Sequence, residues 1–137
     1  MTKHKNEKGE LHRVDGPAVE HENGYQEWWV DGKKHRVDGP AVVDKDGYQA
    51  WYLNGKRHRT DGPAVKHENG YQEWWVDGEK HRVDGPAIEW ANGSREWWVE
   101  GKLHRTDGPA VVYITHGSRA WYLNGKFIKK ERVKEKE

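Results

Sequence analysis

The sequence contains no cysteine, which excludes disulfides, thiolate metal sites and a cysteine nucleophile. Hydrophobic residues make up only 33% of its 137 positions, little for a chain that must bury a three-dimensional core. No apolar run approaches the roughly 18 residues of a membrane-spanning helix. Met1 to Lys8 holds no apolar segment of the signal-peptide kind. The expectation is a cytoplasmic protein without a membrane partner. Net charge is nearly absent too, at +1, and it is unevenly placed. Met1 to Lys8 carries +2 and Lys126 to Glu137 carries +3, which leaves −4 between them. Nucleic-acid binders usually carry a basic stripe on the folded face. Here only the ends are basic, which argues against a nucleic-acid partner.

What the chain has in place of a conventional core is repetition. Units begin at Gly9, Gly32, Gly55, Gly78 and Gly101, always 23 residues apart, with a last partial unit at Gly125. The array runs over 9–125, with units 9–31, 32–54, 55–77, 78–100 and 101–124. A flexible tail (1–8) is expected before it. After it, 126–137 reads as a cap made by Phe127 and Ile128, then a charged tail with room for a helical turn or two. His21 to Ala41 returns 46 residues later as His67 to Ala87 with a single difference, Lys33 against Glu79. A fixed period of this size is the mark of stacked supersecondary units.

Three sets of turn signals divide each unit: an Asn-Gly type step (Asn23-Gly24), an Asp-Gly type step (Asp31-Gly32) and Asp-Gly-Pro (Asp15 to Pro17). The segments between them are short and rich in Trp, Tyr and Val, as strands are. None is long enough for an ordinary helix. Nine Trp and six Tyr offset the shortage of aliphatics. Alternation puts Trp28 and Val30 on one face, Glu27 and Trp29 on the other. Val19, Val42, Val65, Ile88 and Val111 form a β-branched row, read here as buried together with one Trp row. The fold class is all-β: an elongated array of about five 23-residue hairpins in a single-layer twisted sheet. The alternative is a three-sided β-solenoid. Hairpins advance roughly 9.5 Å per unit and a coil roughly 4.8 Å.

The string Trp29-Val-Asp-Gly32-Lys-Lys-His35 returns at Tyr52 to His58, Trp75 to His81 and Trp98 to His104. With the upstream turn and the 23-residue period it resembles MORN repeats and their bacterial YwqK-type antitoxin relatives. The resemblance implies a meander of hairpins, a bacterial or phage setting and an antitoxin-like role as an inhibitory binder of another protein. One departure is plain: MORN units place Gly-x-Gly after the His, whereas this chain has Arg-x-Asp-Gly-Pro. Binding residues of that family therefore do not carry over position by position.

The polar block His-Arg-x-Asp-Gly-Pro recurs five times. Its His12, His35, His58, His81 and His104, with Asp15, Asp38, Asp61, Asp84 and Asp107, read as parts of a structural connector. The Asp side chains suit Asx turns and the His rings suit carbonyl caps. Arg13, Arg36, Arg59, Arg82 and Arg105 are candidates to contact an anionic partner. A second aromatic row, Trp29, Tyr52, Trp75, Trp98 and Tyr122, is a candidate partner surface if it is exposed. Trp90 and Tyr113 break the repeat and are candidates for a specific contact. Equivalent His side chains one unit apart are too far from one another to share a metal ion. No Ser recurs beside the His and Asp residues, so catalysis is not expected, and neither is a cofactor.

These readings converge on a non-enzymatic protein-interaction module, monomeric or weakly self-associating. The alternative is an aromatic-cage repeat that binds a choline- or glycan-type ligand.

Overall fold

The computed structural model describes residues 1–133 and is all-β, with no helix among them. Its main body is one open antiparallel sheet of twelve strands. Every unit supplies two of them, for example Val19–Glu20 and Gln26–Glu27, joined by the turn at Asn23-Gly24. The second strand of each unit then pairs with the first strand of the next, as Glu27 does with Val42. All pairings are antiparallel, which is the hairpin array and not the coil, in which equivalent strands would run parallel.

The repeat adds a feature that periodicity alone did not give. Between the two sheet strands at each unit junction the chain makes a second, smaller hairpin, here termed an arm. The arms pair Trp29–Val30 with Lys33–Lys34, Tyr52–Leu53 with Lys56–Arg57, Trp75–Val76 with Glu79–Lys80, and Trp98–Val99 with Lys102–Leu103. Two turn types result. At an arm tip both central residues take positive φ, 46° at Asp31 and 78° at Gly32, the geometry of a type I′ turn. At the sheet turn only the glycine does, with Gly24 at 95°, and Asn23 instead accepts the Tyr25 N–H on its side chain.

Consecutive arms are tied by backbone bonds. Arg13 N–H donates to Trp29 C=O at 2.9 Å and Gly32 N–H donates to Leu11 C=O at 2.9 Å. The same two bonds recur one unit later from Arg36 to Tyr52 and from Gly55 to Lys34. Ala18, Ala41, Ala64, Ala87 and Ala110, which follow each proline, are fully buried where connector rejoins sheet. Trp28 N–H donates to Ala41 C=O at 2.7 Å there.

The register places Val19, Glu27, Val42, Ala50, Val65, Glu73, Ile88, Glu96, Val111 and Ala120 on one face. The β-branched row is buried, as the alternation implies. In the middle of the array Val42, Ala50 and Val65 form the core, with Tyr25, Tyr48, Tyr52 and Trp75 packed against it. Large rings thus cover a sheet that has no helix over it.

Both ends differ from expectation. Residues 1–8 are not a free tail. Thr2–Lys3 pairs with Val19–Glu20, and Lys5 bridges to Leu11. His4 takes the backbone place of Trp28: its N–H donates to Ala18 C=O, and it accepts from His12 N–H. The first eight residues are half of a further unit. At the other end Lys126–Arg132 is a seven-residue strand, not a lid followed by helical turns. Phe127 and Ile128 are more than half exposed. This strand lacks the polar connector and so runs straight from the last hairpin into the sheet edge, with one bulge at Trp121/Tyr122. The remainder of the expected tail, 134–137, lies outside the described residues.

Candidate functional site

The connector is built around its arginine. Arg59 donates from Nε to Asp61 at 2.9 Å and from a terminal nitrogen to the Pro63 carbonyl at 3.1 Å. The same two bonds recur at Arg13, Arg36, Arg82 and Arg105. The guanidinium also lies 3.9 Å from the centre of the Trp51 ring. Arg36 on Trp28, Arg82 on Trp74 and Arg105 on Trp97 repeat this at 3.8–3.9 Å. Such a stack is worth about 0.5–2 kcal/mol, depending on how dry it is. Arg13 has no tryptophan and meets the His4 ring at 3.4 Å instead.

This clamp explains the glycine of the block. A Cβ at Gly62 would lie 3.0 Å from the Arg59 guanidinium carbon, and the other four positions give 2.9–3.0 Å. None of these glycines has a left-handed φ. They are needed for space, not for conformation. The aspartates pair with the arginine of their own connector in place of the Asx turn expected of them. Hydrogen bonding from Arg13 and Arg59 holds Asp15 and Asp61 below the usual carboxylate range.

The histidines accept instead of capping carbonyls. His58 Nδ1 receives the backbone N–H of Asp77 at 3.0 Å, 19 residues on. His12, His35, His81 and His104 do the same for Asp31, Asn54, Glu100 and Asn124. Each donor is the positive-φ, non-glycine residue of the next arm tip. A neutral ring in this role carries its proton on Nε2. The His row thus supports a strained turn at the next arm tip.

The aromatic rows occupy opposite faces. The first row, represented by Trp28, Trp51, Trp74 and Trp97, lies with the connectors. Four similar open grooves run between successive connectors, with volumes of about 550–790 Å³. Trp28 and Val30 floor one, Trp51 and Leu53 the next. At the crest of each connector stands a residue that the sequence reading passed over: Val14, Val37, Thr60, Val83 and Thr106. The three valines are 83% exposed. Beside them the Asp side chains are 82–88% exposed, while the arginines are tied down. Exposed aliphatics in a fixed register were the available signal.

The second row, Trp29 to Tyr122, shares the face of the β-branched core and is half-buried. Its indoles donate to the Glu row: Trp29 to Glu27 at 2.9 Å, Trp75 to Glu73 at 2.7 Å, Trp98 to Glu96 at 2.8 Å. Phenols donate to the same carboxylates, Tyr25 to Glu27 and Tyr71 to Glu73. In the fourth unit Ser94 stands where Tyr25 and Tyr71 stand, and Tyr113 of the next unit supplies the phenol, 2.7 Å from Glu96. Cations bridge successive rings. Lys34 lies 5.6 Å from Trp29 and 5.1 Å from Tyr52, Arg57 5.9 Å from Tyr52 and 5.2 Å from Trp75, and Lys80 5.7 Å from Trp75 and 4.6 Å from Trp98.

Trp90 and Tyr113 also make internal contacts. They close a ladder of rings through His67 and Tyr71, with centroids 5.2–6.0 Å apart. Among the described residues no three His, Asp or Glu side chains converge as a metal site. No protein-family model matches the chain, and no curated protein matches it either.

Two outcomes follow from this geometry. Gly62→Ala should cost about 1 kcal/mol by crowding the guanidinium. In an Arg59→Ala background the same change should be nearly free, and a denaturation double-mutant cycle measures that coupling. Second, burial, then hydrogen bonding to Glu96, raises the Tyr113 phenol to about 12, and burial raises Tyr25, Tyr48 and Tyr71 as well. The folded state therefore holds these protons longer than the unfolded chain does. Stability should fall as pH rises from about 10. Tyrosinate absorbance of the native protein should lag that of the denatured protein over the same range.

Proposed function

We propose that the chain is a non-enzymatic protein-interaction module and that the connector face is its contact surface. The observation that carries this reading is the exposed Val14, Val37 and Val83 row beside grooves floored by tryptophan. Tryptophan pockets with an aliphatic rim suit interface anchoring. The charge presented there is acidic, because the aspartates project and the arginines are bound internally. The partner that fits is a protein with an elongated surface carrying basic and aliphatic groups. An anionic partner for the arginine row is the poorer match, since each arginine is engaged within its own connector. The resemblance to MORN and antitoxin-type repeats supports a stiff inhibitor-like binder, bacterial or phage in origin and acting in the cytoplasm.

The test replaces the crest. Val14→Lys, Val37→Lys and Val83→Lys combined should leave stability within about 0.5 kcal/mol, since these positions are exposed. In capture from a lysate of the source cells, wild type and a Thr115→Lys control should both retain one stoichiometric protein. The triple variant should lose it. Equal retention by the triple variant, or retention of nucleic acid alone, contradicts the proposal.

A further inference from the structure

The cation ladder on the core face runs over three arms and stops at the fourth. In the first three arms the residue directly across from the second-row ring reaches toward the next ring of the row. These residues are Lys34 across from Trp29, Arg57 across from Tyr52 and Lys80 across from Trp75. At the fourth step the residue across from Trp98 is Leu103, which has no charge. The next ring there is Tyr122. A cavity of about 350 Å³ opens at this place, lined among others by Trp98, Leu103, Tyr113, Tyr122 and Phe127. Its volume lies in the range of small-molecule sites. The residues that close this space elsewhere are absent here. Ser118 and Ala120 occupy the positions filled by Tyr71 and Glu73 two units earlier. Where the second unit has the equally small Ala50, Arg57 lies alongside, its Nε donating to the Tyr52 hydroxyl at 3.2 Å.

The wall of the cavity holds one acidic side chain. Glu96 is 9% exposed and accepts from two neutral donors, the Trp98 indole and the Tyr113 phenol. Its counterpart Glu73 has Arg57 and Lys80 on either side along the ladder, whereas Glu96 has Lys80 on one side and Leu103 on the other. Two cations border the rim. Lys130 sits across from Ala120 on the same face and is exposed. Arg119 belongs to the opposite face by register, with its guanidinium 4.0 Å from Glu131.

We propose that this cavity binds an organic monocation, an alkylammonium or alkylguanidinium group, in the place that Lys34, Arg57 and Lys80 fill along the rest of the ladder. Aromatic faces attract such a group and a neighbouring carboxylate adds to the attraction. Neutral molecules of the same size gain only the apolar contact. The site lies on the face opposite the connectors and does not depend on the role proposed for them.

The experiment titrates full-length protein with n-butylammonium and n-butylguanidinium, with n-butanol as the neutral control. The indole N–H signal of Trp98 in two-dimensional NMR reports occupancy. Both cations should produce a saturable shift at least about tenfold tighter than butanol. Leu103→Lys should supply the missing cation from the chain itself, abolish the shift and raise the melting temperature. Lys130→Gln should tighten binding by removing a like charge. An Nα-acetyl-lysine amide in a parallel arm separates the sources. Tighter binding than butylammonium assigns the site to a polypeptide side chain, and weaker binding assigns it to a free amine. No saturable shift in wild type, equal affinity for butanol, or undiminished binding to folded Leu103→Lys overturns the proposal.

Discussion

From Val37 to Pro40 the chain runs outside any strand, and a guanidinium group does there what the hydrogen-bond ladder does elsewhere. Arg36 fixes Asp38 on one side of the excursion and the Pro40 carbonyl on the other, and its plane rests on Trp28. A lysine could not make this set of contacts, because the planar fork engages two acceptors and a ring at once. The clamp returns the chain to the sheet at a buried alanine. It therefore sets the register in which the next unit starts. The His acceptor adds a second tie, from each connector to the tip of the next arm. Each unit thus depends on its neighbours for contacts that it cannot make alone, which is the energetic pattern of stacked repeats.

The ends of the array show what the connector contributes by lacking it. At the C-terminal end no His-Arg-x-Asp-Gly-Pro follows Phe127, and the strand runs directly along its neighbour to Arg132. Excursion and arm geometry belong together. This outer edge is rich in lysine, with Lys126, Lys129 and Lys130 joined by Arg132. An edge dense in charged side chains, mostly basic with Glu131 among them, discourages pairing with another chain. The N-terminal edge strand carries Lys3 and is followed by Lys5, so two copies meeting end to end would repel each other.

The hairpin array was legible because it rests on local signals: alternation in Tyr25 to Val30, β-branched residues in Val19 and its equivalents, and positive-φ turns at Asp31-Gly32. The contacts that were not legible join residues remote in sequence, or depend on space and not on residue type. His58 accepts from Asp77, 19 residues on at the next arm tip, so its partner is invisible to any local pattern. Gly62 is small because a guanidinium lies over it, whereas glycine next to proline reads as a backbone requirement. Thr2–Lys3 becomes a strand because the free edge of Val19–Glu20 supplies donors and acceptors to whatever chain lies beside it. The aromatic rows were separated correctly by alternation. Which row meets the core depended on where the arms bend, and that the sequence does not state.

The account stands on the arginine clamp as the tie between units, and native-state hydrogen exchange tests it at single amides. Arg59→Met keeps the apolar stem and removes the guanidinium. The predicted result is exchange faster by about tenfold or more at Ala64, Asp77 and Gly78, with the amides of Ala18 and Ala110 unchanged. Unchanged protection at Ala64, Asp77 and Gly78, or an equal rise along the whole array, would contradict the clamp as the contact that joins one unit to the next.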